Sequence, residues 1–356
     1  MKFDFFVDKK MSVIGVDISS SAVKMVELTG LAHQKYRLEN YATTALAQEA
    51  VVDGSIVKLD QVVDAVAKCW RALGTKEKNV ALALPTSAVI TKKVMMNKEL
   101  SLDEMESQVH VEASQYIPFS LDEVNIDFCA VDNVPNAQGD IEVVIAASRK
   151  EKIEDRVAAV EGAGLQAVIM DIDHYAIEAA LSLAPNLLIN GGNHQTIMLV
   201  DIGANSMKIN VLHDMHSVYM RDQAFGGGKL TQEIQRHFSL SYIEAELAKK
   251  NNELPVNYVA EVLQPFFQTL VLEINRALQL LTNGTQYSHV DQIILVGGCA
   301  AIPNIQKIVS EFTQINTVVY SPFVGMELGS RVKQTQLLKD ASSLVVACGL
   351  AMRSFA

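Results

Sequence analysis

Two short stretches carry residues suited to holding a phosphate chain. Residues 12–28 read SVIGVDISSSAVKMVEL, and residues 197–212 read IMLVDIGANSMKINVL. Shifted so that Asp17 meets Asp201, they overlay. Val16, Ile18, Lys24 and Leu28 then meet Val200, Ile202, Lys208 and Leu212. Each copy ends an apolar strand in Asp and places a Lys seven residues later. A strand end that turns sharply exposes consecutive backbone N–H groups, and small residues let a phosphate approach them. Ser19, Ser20 and Ser21 make one such turn, and Gly203, Ala204 and Asn205 make the other. A lysine on the outgoing strand reaches a β- or γ-phosphate. An aspartate at the end of the incoming strand suits Mg²⁺, held mainly through water. One DISSS alone is an ordinary β-turn, and one strand lysine is ordinary solvated surface. The repetition of both carries the reading.

Two further pieces suit a nucleoside. In LVGGCAAIP, Gly297 and Gly298 end a strand before a helix that begins near Pro303, a turn against which a flat ring can lie. In GGGKLTQE, Lys229 and Glu233 stand one helical turn apart. They either grip a ribose or form an exposed i,i+4 pair.

The elements that must position these residues follow from periodicity. Residues 12–17, 23–28 and about 35–45 read as strands. Asp60 is read as the cap of a helix with Val63, Val66, Trp70 and Leu73 on one face and Gly74 as its stop. NVALALP is a buried strand. From about 88 to 165 the order is strand, helix, strand, strand, helix, with Ser101 and Glu104 as a capping box. This block reads as an inserted subdomain. LQAVIMDID returns to a buried strand followed by a helix, with Asp173 read as its N-cap. NLLINGGNHQ is a turn-rich linker and the hinge candidate. A long apolar stripe from Val259 to Leu281 predicts a packed helix kinked or broken at Pro265. Residues 340–354 predict a terminal helix. Two copies of strand, Asp, turn, strand imply two similar α/β halves meeting around one cleft.

Composition narrows the classes. The 356 residues are 49% hydrophobic and 20% charged, with a formal charge of −11 and a pI of about 5.2. That excludes a broad basic footprint for nucleic acid, while leaving a phosphate ligand open, because local N–H groups outweigh global charge. Cys69, Cys129, Cys299 and Cys348 form no CxxC pair. The pattern fits a reducing cytoplasm, with each thiol a small buried apolar group. No apolar run approaches the ~20 residues that cross a bilayer. The opening MKFDFFVDKK lacks the apolar core of a signal peptide. It reads as a frayed terminus or a weak membrane or partner contact through Phe3, Phe5 and Phe6.

These motifs, in this order, resemble the actin-like ATPase superfamily, which includes actin, Hsp70, sugar kinases and the division protein FtsA. Within it the chain resembles the PilM family of type IV pilus assembly proteins. IGVDISSSAVKMVEL, VHVEASQYIPFSLDEVNIDF, VDIGANSMKINVL, FGGGKLTQEI, ILVGGCAAIPNI and VVACGLAMRSF carry the likeness. The resemblance implies duplicated ribonuclease H-like α/β halves with an FtsA-type insertion. Residues 1–89 and 166–190 would form the first half, 90–165 the insertion, 191–225 and 291–339 the second half, 226–290 a helical nucleoside-side subdomain, and 340–356 a terminal helix returning to the first half. Carried over by residue, Asp17, Ser19, Ser20, Ser21 and Lys24 fall on phosphate 1. Asp201, Gly203, Ala204, Asn205 and Ser206 fall on phosphate 2. Gly297, Gly298 and Ala300 fall on the adenosine turn, and Gly227, Lys229 and Glu233 on the nucleoside connection. The implied cofactors are ATP and Mg²⁺, the metal lying near Asp17 and Asp201. The implied partner is the cytoplasmic N-terminal tail of PilN, docked near the insertion and linking indirectly to PilO and PilP. The implied place is the cytoplasm, peripheral at the inner membrane.

Three departures bear on chemistry. Ser19 replaces the superfamily's usual Gly. Ala204 stands where actin has Asp. Lys208 stands where hydrolysing members carry an acid or His, and a protonated lysine is a poor general base. The expectation is therefore an ATP-binding scaffold with slow or absent hydrolysis. Two alternatives stay open: a small-molecule kinase using Asp171 or Asp173 as base, or an actin-like filament former.

Overall fold

The computed structural model describes residues 12–31, 35–130, 139–251 and 253–355. The contact read for Phe3, Phe5 and Phe6 lies outside the described residues.

The chain opens with β1 (Ile14–Ile18), β2 (Ala22–Gly30) and β3 (Tyr36–Ala45), then a small hairpin, β4 (Val51–Val52) and β5 (Ser55–Ile56). Helix α1 (Leu59–Leu73) and β6 (Asn79–Leu84) follow. The block read as an insertion contains β7 (Val89–Asn97), α2 (Leu102–Tyr116), β8 (Val124–Ala130) and β9 (Asp140–Arg149), whereas α3 (Lys150–Glu161) packs through Ala159 and Val160 on the core of the first half. Then come β10 (Gln166–Ile172) and α4 (Asp173–Leu181). The second copy begins with β11 (Thr196–Ile202), β12 (Met207–His213) and β13 (His216–Gln223). Helices α5 (Gly227–Phe238), α6 (Tyr242–Asn251) and α7 (Gln264–Gly284) precede β14 (Gln292–Val296). The chain closes with α8 (Ile305–Thr313), β15 (Asn316–Val319), β16 (Glu327–Leu328), α9 (Gln334–Asp340) and α10 (Val345–Ala351).

The two large sheets share one plan. The first has the order β10-β6-β1-β2-β3-β16 and the second β13-β12-β11-β14-β15. β1 pairs antiparallel with β2 and parallel with β6, and β11 likewise pairs antiparallel with β12 and parallel with β14. In the hairpins Asp17 lies opposite Lys24, and Asp201 opposite Lys208. The seven-residue spacing is thus that of a cross-strand pair. The duplicated α/β architecture is as the motifs imply.

Helices α4 and α10 lie between the halves. A single apolar cluster joins Ala176, Ile177 and Leu181 of α4 and Val345, Val346 and Leu350 of α10 to Ile197, Leu199 and Ile294 of the second sheet. The approach is close enough to demand glycine. A Cβ on Gly15 would lie 1.9 Å from the Ala347 carbonyl oxygen, and one on Gly349 1.7 Å from that of Ala176. Tyr320, fully buried, donates its hydroxyl to the Ala180 and Leu181 carbonyls at 2.8 and 3.0 Å, clamping the end of α4 to the second half. The first residues of the NLLINGGNHQ linker are tied to β14. Ile189 N donates to Gln292 Oε1 at 2.9 Å, and Gln292 Nε2 donates to the Leu187 carbonyl at 3.0 Å.

The insertion is a three-stranded antiparallel sheet, β7-β9-β8, with α2 packed on one face through Met105 and Val109 against Met96, Ile141, Val143 and Ile145. The Ser101–Glu104 capping box is present. Ser101→Ala is expected to cost about 1 kcal/mol, read as a small shift of the urea midpoint. In SQYIPFS, Ile117 packs inside with Ala113 and Val124, while Phe119 stands out beneath the Arg149 guanidinium.

Three local expectations change and one is met. Helix α1 starts one residue earlier than Asp60, with Lys58 as N-cap, so Asp60 serves the helix dipole in the first turn instead of capping. Asp173 is not an N-cap either: Ile172 holds that place, and the Asp173 carboxylate turns away to other partners. At Pro265 the apolar stripe changes character as expected: a π-helical turn, Val259–Leu263, ends there and the regular helix α7 begins at Gln264 with Pro265 in its first turn. Cys129 is exposed, because it lies on edge strand β8 on the face away from α2. Cys69, Cys299 and Cys348 are buried. No helix of the described residues is long and apolar enough to cross a membrane.

Candidate functional site

The two hairpin turns close identically. Ser19 N donates to the Ala22 carbonyl at 3.0 Å, and Gly203 N to the Ser206 carbonyl at 3.0 Å. The same offset that overlays the sequences overlays these bonds. The Ser19 hydroxyl also donates to Ala22, at 2.8 Å, so it closes its own turn. The glycine cluster before α5 runs along the second turn. Gly227 N donates to the Gly203 carbonyl at 3.0 Å and Gly228 N to that of Ala204 at 2.7 Å. A Cβ on Gly226 would sit 2.4 Å from the Ala204 oxygen, which is why the stretch is written in glycine.

Both turns open into one cleft of about 2280 Å³ between the halves. Asp17, Ser19, Ser20, Ser21 and Lys24 line it from one side. Asp201, Gly203, Ala204, Asn205, Ser206, Gly227, Gly297 and Gly298 line it from the other. Lys208 joins them, so both hairpin lysines face one space. Ala300, Lys229 and Glu233 do not. Ala300 is buried behind the turn. Lys229 lies 5.5 Å over the Phe225 ring, and Glu233 pairs with Arg236 at 3.1 Å.

The lysines are held differently. Lys24 Nζ donates to its cross-strand partner Asp17 at 2.9 Å. Lys208 reaches across the cleft floor to Asp173 of α4, which also accepts from Thr86 N and the Thr86 hydroxyl. Burial alone would raise the Asp173 pKa. The Lys208 ammonium and the hydrogen bonds from Lys208 and Thr86 outweigh it and hold the carboxyl below its usual range. Burial would lower Lys208, but Asp173 and Asp201 hold it well above an ordinary lysine. Asp201 and Asp222, flanking Lys208 in the sheet, are both pushed up by burial, with Lys208 opposing. Among the described residues no group of three or more His, Cys, Asp or Glu is arranged to hold a metal ion. Mg²⁺ here would rest on one or two carboxylates, water and a ligand's oxygens.

Several lining residues were not legible as site residues in the sequence. Glu246 and Lys249 of α6 stand as an ion pair beside buried Thr231, whose hydroxyl donates to the Gly227 carbonyl at 3.1 Å. The i,i+3 spacing in EAELAKK was the available signal. Cys299 Sγ lies 3.3 Å from the Gly203 carbonyl, its pKa pushed up to about 11 by burial, so it is an inert thiol. Arg156 of α3 also reaches the cleft.

Away from the cleft floor, Glu178 of α4 accepts from Asn210 of β12 at 3.0 Å. Burial pushes it up to about 7 from an ordinary 4.5, against the Asn210 bond and Lys93. The folded state therefore binds this proton more tightly than the unfolded chain. Its stabilising contribution is complete below about pH 4.5 and is lost as pH rises towards 7. Glu178→Gln keeps the acceptor and is expected to remove about 1–3 kcal/mol of that pH dependence, read from urea melts at pH 5 and 8.

Known proteins resemble the chain in sequence and in fold. The cell division protein FtsA of Enterococcus hirae is 21% identical, over 87% of this chain and 78% of its own. A chain of a solved PilM–PilN type IV pilus biogenesis complex is 24% identical, with a TM-score of 0.82 over 98% of this chain and 99% of its own. The archaeal actin homolog Ta0583, solved in complex with ADP, is 12% identical, with a TM-score of 0.51 over 96% of this chain and 98% of its own. The family model of the type IV pilus assembly protein PilM matches residues 15–355, and the chain therefore belongs to the PilM family.

Proposed function

We propose that this protein is an ATP-binding scaffold of type IV pilus assembly, which docks the N-terminal tail of PilN. One observation carries the nucleotide part: hairpins from both halves put Asp17, Lys24, Asp201 and Lys208 around a common cleft. In this reading the turn amides of Ser19–Ser21 and Gly203–Ser206 hold the phosphates, with Asp17 and Asp201 meeting Mg²⁺ through water. Gly298 receives the base, since nothing stands within 4 Å of where its Cβ would be. Glu246 and Lys249 take the place assigned to Lys229 and Glu233 by offering an acceptor and a donor to a ribose. The solved PilM–PilN complex supports the partner. The tail would dock beside the insertion, and through it the scaffold would join PilO and PilP in the cytoplasm at the inner membrane.

Hydrolysis is slow or absent in this reading. Lys208 is held protonated by the carboxylates around it, so it cannot take a proton from water. The kinase alternative loses its bases. Asp173 is occupied by Lys208 and Thr86, and Asp171 is paired with Arg353 at 2.7 Å, outside the cleft lining. Saturating Mg²⁺·ATP is expected to stabilise the fold by about 2.7 kcal/mol at a hundredfold excess over Kd, with phosphate release well below ~1 per second. Ordinary enzyme turnover in the phosphate-release assay would sink the scaffold reading. Calorimetry with a PilN N-terminal peptide tests the partner: absence of binding with and without ATP overturns it.

A further inference from the structure

Arg156 is a buried cation in the wall of the cleft. It sits on α3, which leaves directly from β9 of the inserted sheet. Its side chain lines the cleft although the residue is only 2% exposed. Nε donates to the Ala83 carbonyl at 2.9 Å and Nη2 to the Gly54 carbonyl at 2.7 Å. Nη1 has no partner. Among the described residues no carboxylate lies within ion-pair distance of the guanidinium, although Asp17 and Asp173 are near enough to act on its charge. A buried charge with an unpaired donor is costly and persists where something offsets it.

The surroundings say what that something is. Ala83 stands at the carboxyl end of β6, next to the ends of β1 and β10. Ligands of α/β folds bind at such strand ends. A nucleotide with its base at Gly298 runs its phosphates between the two hairpins, towards the corner where Lys208 meets Asp173. Two carbonyls hold the planar guanidinium in place, so Nη1 is oriented before any ligand arrives. Arginine suits a phosphoryl oxygen better than lysine because its donors form a fixed fork.

We propose that Arg156 contacts the terminal phosphate and makes the cleft selective for nucleoside triphosphates over diphosphates. This rests on the nucleotide-binding reading above and adds the residue that distinguishes the two ligands. Gly54 and Ala83 hold the guanidinium, and the third phosphate supplies the missing acceptor.

Calorimetry on the full chain with Mg²⁺·ATP, Mg²⁺·AMP-PNP and Mg²⁺·ADP tests it. Wild type is expected to bind both triphosphates at least about tenfold tighter than ADP, the effect of one hydrogen bond to a charged group. Arg156→Gln is expected to erase that ratio while changing ADP affinity less than about twofold, and Arg156→Lys to fall between. Equal weakening of all three ligands would mark a purely structural arginine and overturn the proposal. So would an unchanged ratio. Should Arg156→Gln not fold, the wild-type ratio still decides, since equal affinities for ATP and ADP overturn the proposal without touching nucleotide binding. Binding of none of the three would instead remove the underlying reading.

Discussion

Lys208→Ala is expected to destabilise the protein by about 3–5 kcal/mol, the cost of breaking a buried ion pair from one side. The Asp173 carboxylate would be left 9% exposed in side-chain terms, with only Thr86 to hold it. Asp201 and Asp222 sit opposite Lys208 on the neighbouring strands. Three carboxylates would thus lose their shared cation. Asp173→Asn is expected to cost less, because Lys208 is 28% exposed and keeps Asp201 and Asp222 as neighbours. The double variant Lys208→Ala with Asp173→Asn should recover part of the single-variant loss, since no unpaired charge remains at depth. Urea unfolding of the four proteins measures this. A Lys208→Ala cost within 1 kcal/mol of zero, or strict additivity in the double variant, would contradict the pairing. The pair also bridges the halves, as Asp173 begins α4 and Lys208 lies on β12.

The second large effect separates two adjacent glycines. Gly297 has φ +88° and ψ 172°, a region open to glycine alone. A Cβ there would lie 2.3 Å from Asp201 Oδ1 and 2.6 Å from the Ile202 carbonyl oxygen. Gly297→Ala is therefore expected to cost about 3 kcal/mol or more, from backbone strain and overpacking together. It should also push Asp201 out of place and abolish nucleotide binding. Gly298 has nothing within 4 Å of its would-be Cβ. Gly298→Ala is expected to leave stability within about 0.5 kcal/mol of wild type yet weaken nucleotide binding, because the methyl would enter the space assigned to the base. Urea melts and nucleotide titrations on both variants check the contrast. Equal behaviour of the two would show that the turn does not meet a ligand as described.

The hairpins were legible because the chain writes them twice, and the Asp-to-Lys spacing encodes a cross-strand register that any twisted hairpin preserves. The inserted sheet and its capping box were legible for a similar reason: their signals are local. The partners across the cleft were not. Asp173 reads locally as a helix cap, and only folding brings it to Lys208, whose hairpin belongs to the other half. Arg156 reads as one charge in a charged helix, RKEKIEDRVAAVEG. Its burial depends on Gly54 and Ala83, both far along the chain. Lys229 and Glu233 illustrate the converse. Their i,i+4 spacing is real, but the helix turns them to Phe225 and Arg236, and the cleft receives Glu246 and Lys249 from the next helix. Cys129 was misread because burial of a strand residue depends on which face a neighbour covers, and α2 covers the other one.

The central claim is that twin hairpins from duplicated halves clasp one nucleotide. Titrating Mg²⁺·ATP into the purified full chain by calorimetry tests it most directly. The account predicts a single saturable site at one nucleotide per chain, lost when Lys24 and Asp201 are replaced by alanine in a variant that remains folded. No heat and no saturation at millimolar Mg²⁺·ATP, with the wild-type protein folded, would contradict it.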